Sequence, residues 1–270
     1  MSPHKPGAHP RKRERDFSAD ALRKVGLARA LSKLGYCSRT QAAELIRVGR
    51  VRLNGALRRD PEAPVHVSKD RIEVDGALVT ASEKAYVVLN KPRGAVTTAA
   101  DEKGRETVYD YLEKNSEWLA PVGRLDKASE GLLLLTNDSE WAARITAPET
   151  HLDKTYHVQI ASVADCSILE SLRNGTKTVE GDSLRVKRVD ILREGERNSW
   201  LEIVLDEGKN RHIRRMLEHL DIEVLRLIRV AIGPVALGDL AKGKHRPLTK
   251  TEKSGLDAAM HLAKSQSASH

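Results

Sequence analysis

Three stretches of this sequence hold side chains able to do chemistry. The first is GRLDKASEGLLLLTND, residues 123–138, where Arg124 and Asp126 precede Gly131 and an apolar run, Leu132 to Leu135. A carboxylate in a loop that feeds a buried strand has its position fixed by the core, and catalytic groups gather in such loops. A carboxylate held there can act as nucleophile or as base. An Asp before a strand is also a common cap or turn former. The stretch alone leaves both readings open. The second is LDEGKNRHIRRMLEHL, residues 205–220. Ile213, Met216, Leu217 and Leu220 follow helical spacing, while Arg211, Arg214 and Arg215 share a neighbouring face. A cationic row there suits phosphates or a buried carboxylate, because the guanidinium fork pairs bidentately and stays charged; a solvated basic face fits equally well. The third is KTYHVQI, residues 154–160, where Tyr156 alternates with Val158 and Ile160 and so points with them to one side of a strand. Such a tyrosine packs in a core by default, or stacks on a base if its side of the strand lines a cleft.

The elements that position these groups follow from periodicity. AYVVLN, GLLLLT, TYHVQI, WLEIVL and EVLRLIRVAIG read as strands, and TVYDYLEKN, SEWAARIT, SILESLRNG and NRHIRRMLEHL as helices. Their order is not strict β–α–β alternation. It predicts an α+β domain over residues 82–250, with a mixed, mostly antiparallel sheet and flanking helices. Ahead of it, over residues 25–81, a small α/β unit is expected: a helix with Leu27, Leu31 and Leu34 on one face, then a second with Ala42, Leu45 and Ile46. Ser38 and Gln41 stand at capping-box spacing before the second helix and Gly49 after it. Asn54-Gly55 and Asp75-Gly76 mark two hairpin turns. Arg29 and Lys33 fall on one face of the first helix, and Arg39, Arg47 and Arg50 lie on or beside the second. These five suit phosphates, or are a solvated face. Residues 1–24 read as a disordered basic tail, and 251–270 as a loosely ordered C-terminal tail with room for a short helix.

Composition narrows the class. Lys and Arg number 46 against 38 Asp and Glu, a net charge of +8. That excess suits a polyanionic partner or an ordinary basic surface. Aromatics at 3% exclude a binder that works mainly by stacking. Cys37 and Cys166 have neither disulfide-framework nor metal-ligand spacing, so no metal is expected and a reducing compartment is. No secretory leader or membrane-length apolar run is present, which points to the cytoplasm.

LARALSKLGYCSRTQAAELIRVGRVRLNG followed by DRIEVDG resembles the RNA-binding module shared by ribosomal protein S-four and tyrosyl-tRNA synthetases. The three chemical stretches, with LNKPRG before them and RLIRVAIGPVALGDLAKGKHRPLT behind, resemble the ribosomal RNA pseudouridine synthases of the RsuA, RluB, RluE and RluF type, from Leu27 to Thr249. The resemblance implies a uridine-to-pseudouridine isomerase of ribosomal RNA without a cofactor. Asp126 would then be the catalytic carboxylate, Tyr156 the aromatic stacked on the target uracil, and Arg214 the cation paired with Asp126. Arg124 would lie near the flipped base or its backbone, with Arg211 and Arg215 on RNA. KASEG places Ser129 where many relatives have Thr, which keeps the hydroxyl. A monomer is expected. Two other classes stay open: an RNA-binding protein with an inactive catalytic domain, and a nucleoside or glycan hydrolase. The hydrolase needs a second carboxylate, and of those near in sequence, Glu130 is expected at the surface and Asp138 in a turn.

Overall fold

The computed structural model describes residues 24–98, 104–113, 118–177 and 183–267, so the basic tail lies outside it except for Lys24. The described residues form two compact units, one of residues 24–34 and 39–80, the other of residues 35–38 and 81 onward.

In the first unit, helix α1 (Leu27–Lys33) packs with α2 (Arg39–Arg47), and a sheet follows. Leu27, Leu31, Ala42 and Ile46 are fully buried, which is the apolar face that periodicity predicts. Strands β1 (Val51–Leu53), β2 (Ala56–Arg58), β3 (Ile72–Val74) and β4 (Ala77–Leu78) form an antiparallel sheet of order β2-β1-β3-β4. Both hairpins turn through two residues at positive φ: Asn54 and Gly55 at 52° and 80°, Asp75 and Gly76 at 51° and 82°. That is the turn whose twist matches the strands it joins.

The second unit is built on a sheet of nine strands among the described residues. Its main path uses β5 (Tyr86–Lys91), β6 (Glu130–Thr136), β7 (Lys154–Ile160), β8 (Arg188–Glu194), β9 (Ser199–Leu205), β10 (Val224–Ile232) and β11 (His245–Pro247), in the order β8-β9-β7-β10-β6-β5-β11. Every pair on it is antiparallel except β10 with β6, at the centre. Helices cover both faces. Leu133 and Leu135 of β6 share one core with α4 (Cys166–Asn174) and α5 (His212–His219). Leu132 and Leu134 share the other with α3 (Ser139–Thr146) and α6 (Lys250–Ser267). Burial on both faces explains why Leu132 to Leu135 is continuously apolar rather than alternating.

The helix expected at TVYDYLEKN is a single 3-10 turn, Val108–Tyr111, after which Leu112 is extended; residues 114–117 are outside the described set. The expected loose C-terminal tail is instead α6, of 18 residues, with Leu256 and Met260 buried. Its start is a capping box: Thr249 Oγ1 accepts from the Glu252 amide at 3.1 Å, and Glu252 accepts from the Thr249 amide at 2.8 Å. Arg246 on β11 adds a two-pronged bond to Glu252, at 2.7 and 2.8 Å, and Trp141 Nε1 donates to Asp257 at 2.9 Å.

Arg246 holds the Glu252 carboxyl down to about 2, from an ordinary 4.5. A folded pKa below the unfolded one stabilises at pH above about 4.5, and the gain is lost as pH falls toward 2. Glu252→Gln should therefore cost about 1–2 kcal/mol at pH 7, with the gap narrowing by pH 3. Thermal melts of both proteins at the two pH values check this.

Candidate active site

The loop carrying Asp126 is fixed through its own carbonyls. The turn closes by Ser129 N–H to the Asp126 carbonyl at 3.0 Å. Thr97 Oγ1 donates to the Leu125 carbonyl at 2.8 Å, and Gly94 N–H to that of Lys127 at 2.8 Å. Arg214 Nη2 donates to the Ala128 carbonyl at 3.2 Å. Lys91 Nζ reaches the carbonyls of Asp126 at 3.1 Å, Ser129 at 2.8 Å and Pro92 at 3.1 Å. Five consecutive carbonyls, Leu125 to Ser129, are thus held by β5, the segment after it, α5 and the turn itself. Lys91 is completely buried, and burial pushes its ammonium down to about 8 while the charges of Asp126 and Glu130 oppose that fall.

Gly131 lets β6 close on β10 behind this loop. Its φ is +101°, and a Cβ there would stand 2.3 Å from the Arg229 carbonyl oxygen, so no other residue fits without moving one of the two strands. Across β10 from that contact, the register with β7 slips: Thr155 faces Ala231 but Tyr156 faces Arg229. The bulge leaves Val230 extra and sets Arg229 directly opposite Tyr156.

These elements enclose a cleft of about 640 Å³, which Arg124, Asp126, Tyr156, Arg211, Arg214 and Arg229 help to line. The structure thus brings the three chemical stretches together. Tyr156 is 8% exposed, belongs to the core beside α5 and also lines the cleft, so core packing and cleft wall hold together for it. Its hydroxyl has no hydrogen-bond partner among the described residues. Arg214 does not form the close ion pair expected of it: no carboxylate lies within 4 Å of it among the described residues. Its guanidinium is spent on the carbonyls of Ala128 and, at 3.4 Å, Val224, while Asp126 favours its charge from farther away.

Arg124 is an exposed cation at the cleft. Arg211 lines it too but binds Glu218 at 2.7 Å, and half-buried Arg215 does not line it. In the first unit Arg29, Arg39 and Arg47 are exposed and Lys33 is half-buried. Arg50 is engaged by Asp75 through two hydrogen bonds, which offsets its charge.

Glu130 corrects an expectation. It is 3% exposed, not at the surface, because Arg226 at 3.1 Å and Lys242 at 2.6 Å fold over it. Asp138 sits after β6 as expected and caps α3 through the Trp141 amide. Asp206 and Glu207 also line the cleft, facing His151 at 3.6 Å and Lys209 at 3.1 Å. Among the described residues no cluster of His, Cys, Asp and Glu could hold a metal, and no helix is long and apolar enough to cross a membrane.

Residues 85–219 match the family of RNA pseudouridylate synthases, and residues 25–72 match the S4 domain. A ribosomal large subunit pseudouridine synthase B of Bacillus subtilis is 35% identical over 86% of this chain and 95% of its own length. An uncharacterised RNA pseudouridine synthase of Aquifex aeolicus is 36% identical over 89% of this chain and 97% of its own.

The chain belongs to the RNA pseudouridylate synthase family.

It is therefore an enzyme, an isomerase acting on RNA, with an S4 RNA-binding domain ahead of the catalytic one. A crystal structure of a pseudouridylate synthase agrees in fold, with a TM-score of 0.63 at 30% identity over 86% of this chain and 99% of that one. Sequence reasoning about this synthase missed Lys91 and Arg229. Lys91 in LNKPRG carried a signal, since a cation follows the apolar run Val87 to Leu89 at the end of its strand.

Lys91→Met keeps the volume but releases the carbonyls of Asp126 and Ser129. It should lower turnover by about 10²-fold, the effect of a ~1 Å misplacement within an active site, with RNA affinity little changed. Single-turnover rates beside binding isotherms check this.

Proposed function

We propose that this synthase converts a uridine of ribosomal RNA to pseudouridine, with Asp126 as the carboxylate acting at the sugar. The observation that carries this reading is Asp126 in a loop pinned at five carbonyls, facing the same cleft as Tyr156 and Arg214. The name of the Bacillus subtilis relative, a large-subunit synthase covered over 95% of its length, supports ribosomal RNA as the substrate.

The chemistry asks for little else. The bond between C1′ and N1 breaks and its electron pair leaves with the uracil. The base turns, C5 bonds to C1′, the C5 proton is lost and N1 gains one. Nothing is oxidised or reduced, so the reaction calls for no cofactor. A single carboxylate suffices, as nucleophile at C1′ or as base at the sugar. Water must stay out of the cleft while the base is detached. Tyr156 stacks on the flipped uracil and offsets part of the few kcal/mol that flipping costs. Arg214 is a positioning residue that holds the Ala128 carbonyl and lends its field to Asp126. Arg124, exposed and unpaired among the described residues, meets the backbone of the flipped nucleotide. Arg211 and Arg215 lie farther along the RNA. The S4 domain docks RNA through Arg29, Lys33, Arg39 and Arg47, with Arg50 contributing less because Asp75 holds it. The enzyme works in the cytoplasm as a monomer, on a module of residues 25–81 and a catalytic domain of residues 82–250 extended by α6.

Tritium release from ribosomal RNA labelled at C5 of uracil, taken from cells lacking the enzyme, should be rapid with wild type and absent with Asp126→Asn. No release by wild type, with RNA still bound, would favour a binding protein instead. Stacking by Tyr156 makes a second demand: Tyr156→Phe should keep most of the rate that Tyr156→Ala loses. The reverse order in the same assay would assign the work to the hydroxyl.

A further inference from the structure

Buried polar atoms without partners are few in folded proteins, and each asks for a reason. Among the described residues they occur on six side chains, and four of these, Ser129, His212, Arg214 and Arg229, line the one cleft. Arg229 is the most telling. It is 6% exposed, donates from Nε to the Leu132 carbonyl at 2.7 Å, and leaves Nη2 buried and unpartnered. It stands directly across from Tyr156 on the next strand, so the two side chains share a face at close range. Lys154, two residues before Tyr156, is its diagonal neighbour on that face and also lines the cleft. Burial and then the charge of Arg229 push the Lys154 ammonium below its usual range. The only side-chain hydrogen bond of Lys154 among the described residues is to the Asp206 carbonyl, at 3.5 Å. Neither cation has a carboxylate within 4 Å among the described residues.

Two cations kept side by side, half dehydrated and without a counter-ion, need an electron-rich occupant. An oxygen of the substrate is the natural one, and depth selects which. Arg124 and Arg211 are exposed at this cleft, where a phosphodiester can reach them. Arg229 is buried beside the ring that would stack on the base, so a flipped nucleobase gets there and the backbone does not.

We propose that Arg229, supported by Lys154, is a further catalytic residue: from the cleft wall it donates to a carbonyl oxygen of the target uracil and stabilises the charge carried by the detached base. The inference rests on the uridine isomerisation proposed above. When the C1′–N1 bond breaks, its electron pair stays on the uracil and spreads from N1 to both carbonyl oxygens, while Asp126 answers the deficit at C1′. A fixed guanidinium N–H beside one of those oxygens is stronger for the anion than for the neutral base, which is what speeds cleavage. Because both uracil oxygens carry charge, the donor also holds the base while it turns from N1 to C5. The C5 proton is then lost, N1 is protonated, and the guanidinium, charged throughout, again faces a neutral base.

The test uses the full-length chain and ribosomal RNA labelled at C5, comparing wild type with Arg229→Gln, Arg229→Lys and Lys154→Gln. Tritium release at saturating enzyme gives the rate, and binding isotherms across salt concentrations give affinity and the number of phosphate contacts. Arg229→Gln should slow release by about 10²-fold, the loss typical of one such donor, with affinity and salt slope unchanged. Arg229→Lys should recover part of the rate. Lys154→Gln should slow it by about 10-fold, and it serves as the safeguard if loss of the Leu132 bond unfolds the Arg229 variants. Weaker binding with a salt slope reduced by about one, at an unchanged saturating rate, would make the site a phosphate contact and overturn the assignment. Full rates in folded variants would overturn it outright. No release by wild type would instead remove the isomerisation reading itself.

Discussion

A carboxylate proposed to meet one carbon atom of a flipped nucleotide cannot sit on a loop free to move, and here the solution is main-chain accounting. Each carbonyl from Leu125 to Ser129 accepts a hydrogen bond, from Lys91, Gly94, Thr97, Ser129 or Arg214. Buried carbonyls need partners in any fold, so the constraint is ordinary. What is particular is that the partners come from elements far apart in sequence, on both sides of the loop. Displacing the Asp126 backbone would break several of these bonds at once, and the loop inherits the rigidity of the sheet.

The sheet in turn depends on one close approach. β6 runs parallel to β10 and meets it at Gly131 and Arg229, where a Cβ has no room. That contact sets the loop before Gly131 against the strand that carries Arg229, and the bulge in β10 aligns Arg229 with Tyr156 on β7. Three chain segments separated by dozens of residues are thus brought into one wall by a single glycine and a single extra residue. Burial of Leu132 to Leu135 between two helical layers fixes β6 itself.

Much of this was legible in the sequence. The apolar run Leu132–Leu135 announced a strand buried on both faces, and Asn54-Gly55 and Asp75-Gly76 announced their turns, because these features are local. The grouping of Asp126, Tyr156 and Arg214 came through resemblance, since residues 126, 156 and 214 share no local pattern. What stayed hidden depended on tertiary partners. Lys91 reads as the polar end of a strand until its three carbonyl acceptors are seen. Glu130 reads as a surface charge until Arg226 and Lys242 cover it. Arg226 and Arg229 both interrupt an apolar strand, and only the register distinguishes the ion-paired one from the cleft-lining one. The helix Lys250–Ser267 was within reach, because Thr249 and Glu252 stand at capping-box spacing; its polar composition masked the signal.

Cations in the catalytic unit are held in two ways. Arg188, Arg211, Arg226 and Arg246 are each anchored by a carboxylate, which cancels most of their field. Lys91, Lys154, Arg214 and Arg229 are anchored by carbonyl oxygens instead. A carbonyl fixes direction without removing charge, so these four keep a positive potential in a partly dehydrated space where screening is weak. Desolvation works against that arrangement, as the lowered ammonium of Lys91 shows. At Lys91 and Arg214 the fold sustains it because the same bonds hold the Asp126 loop in place. A carboxylate partner for any of these cations would improve the unliganded protein and weaken its attraction for RNA and for negative charge developing on the substrate. At Lys91 and Arg214 geometry and potential are therefore supplied by the same contacts, and neither can be altered without the other.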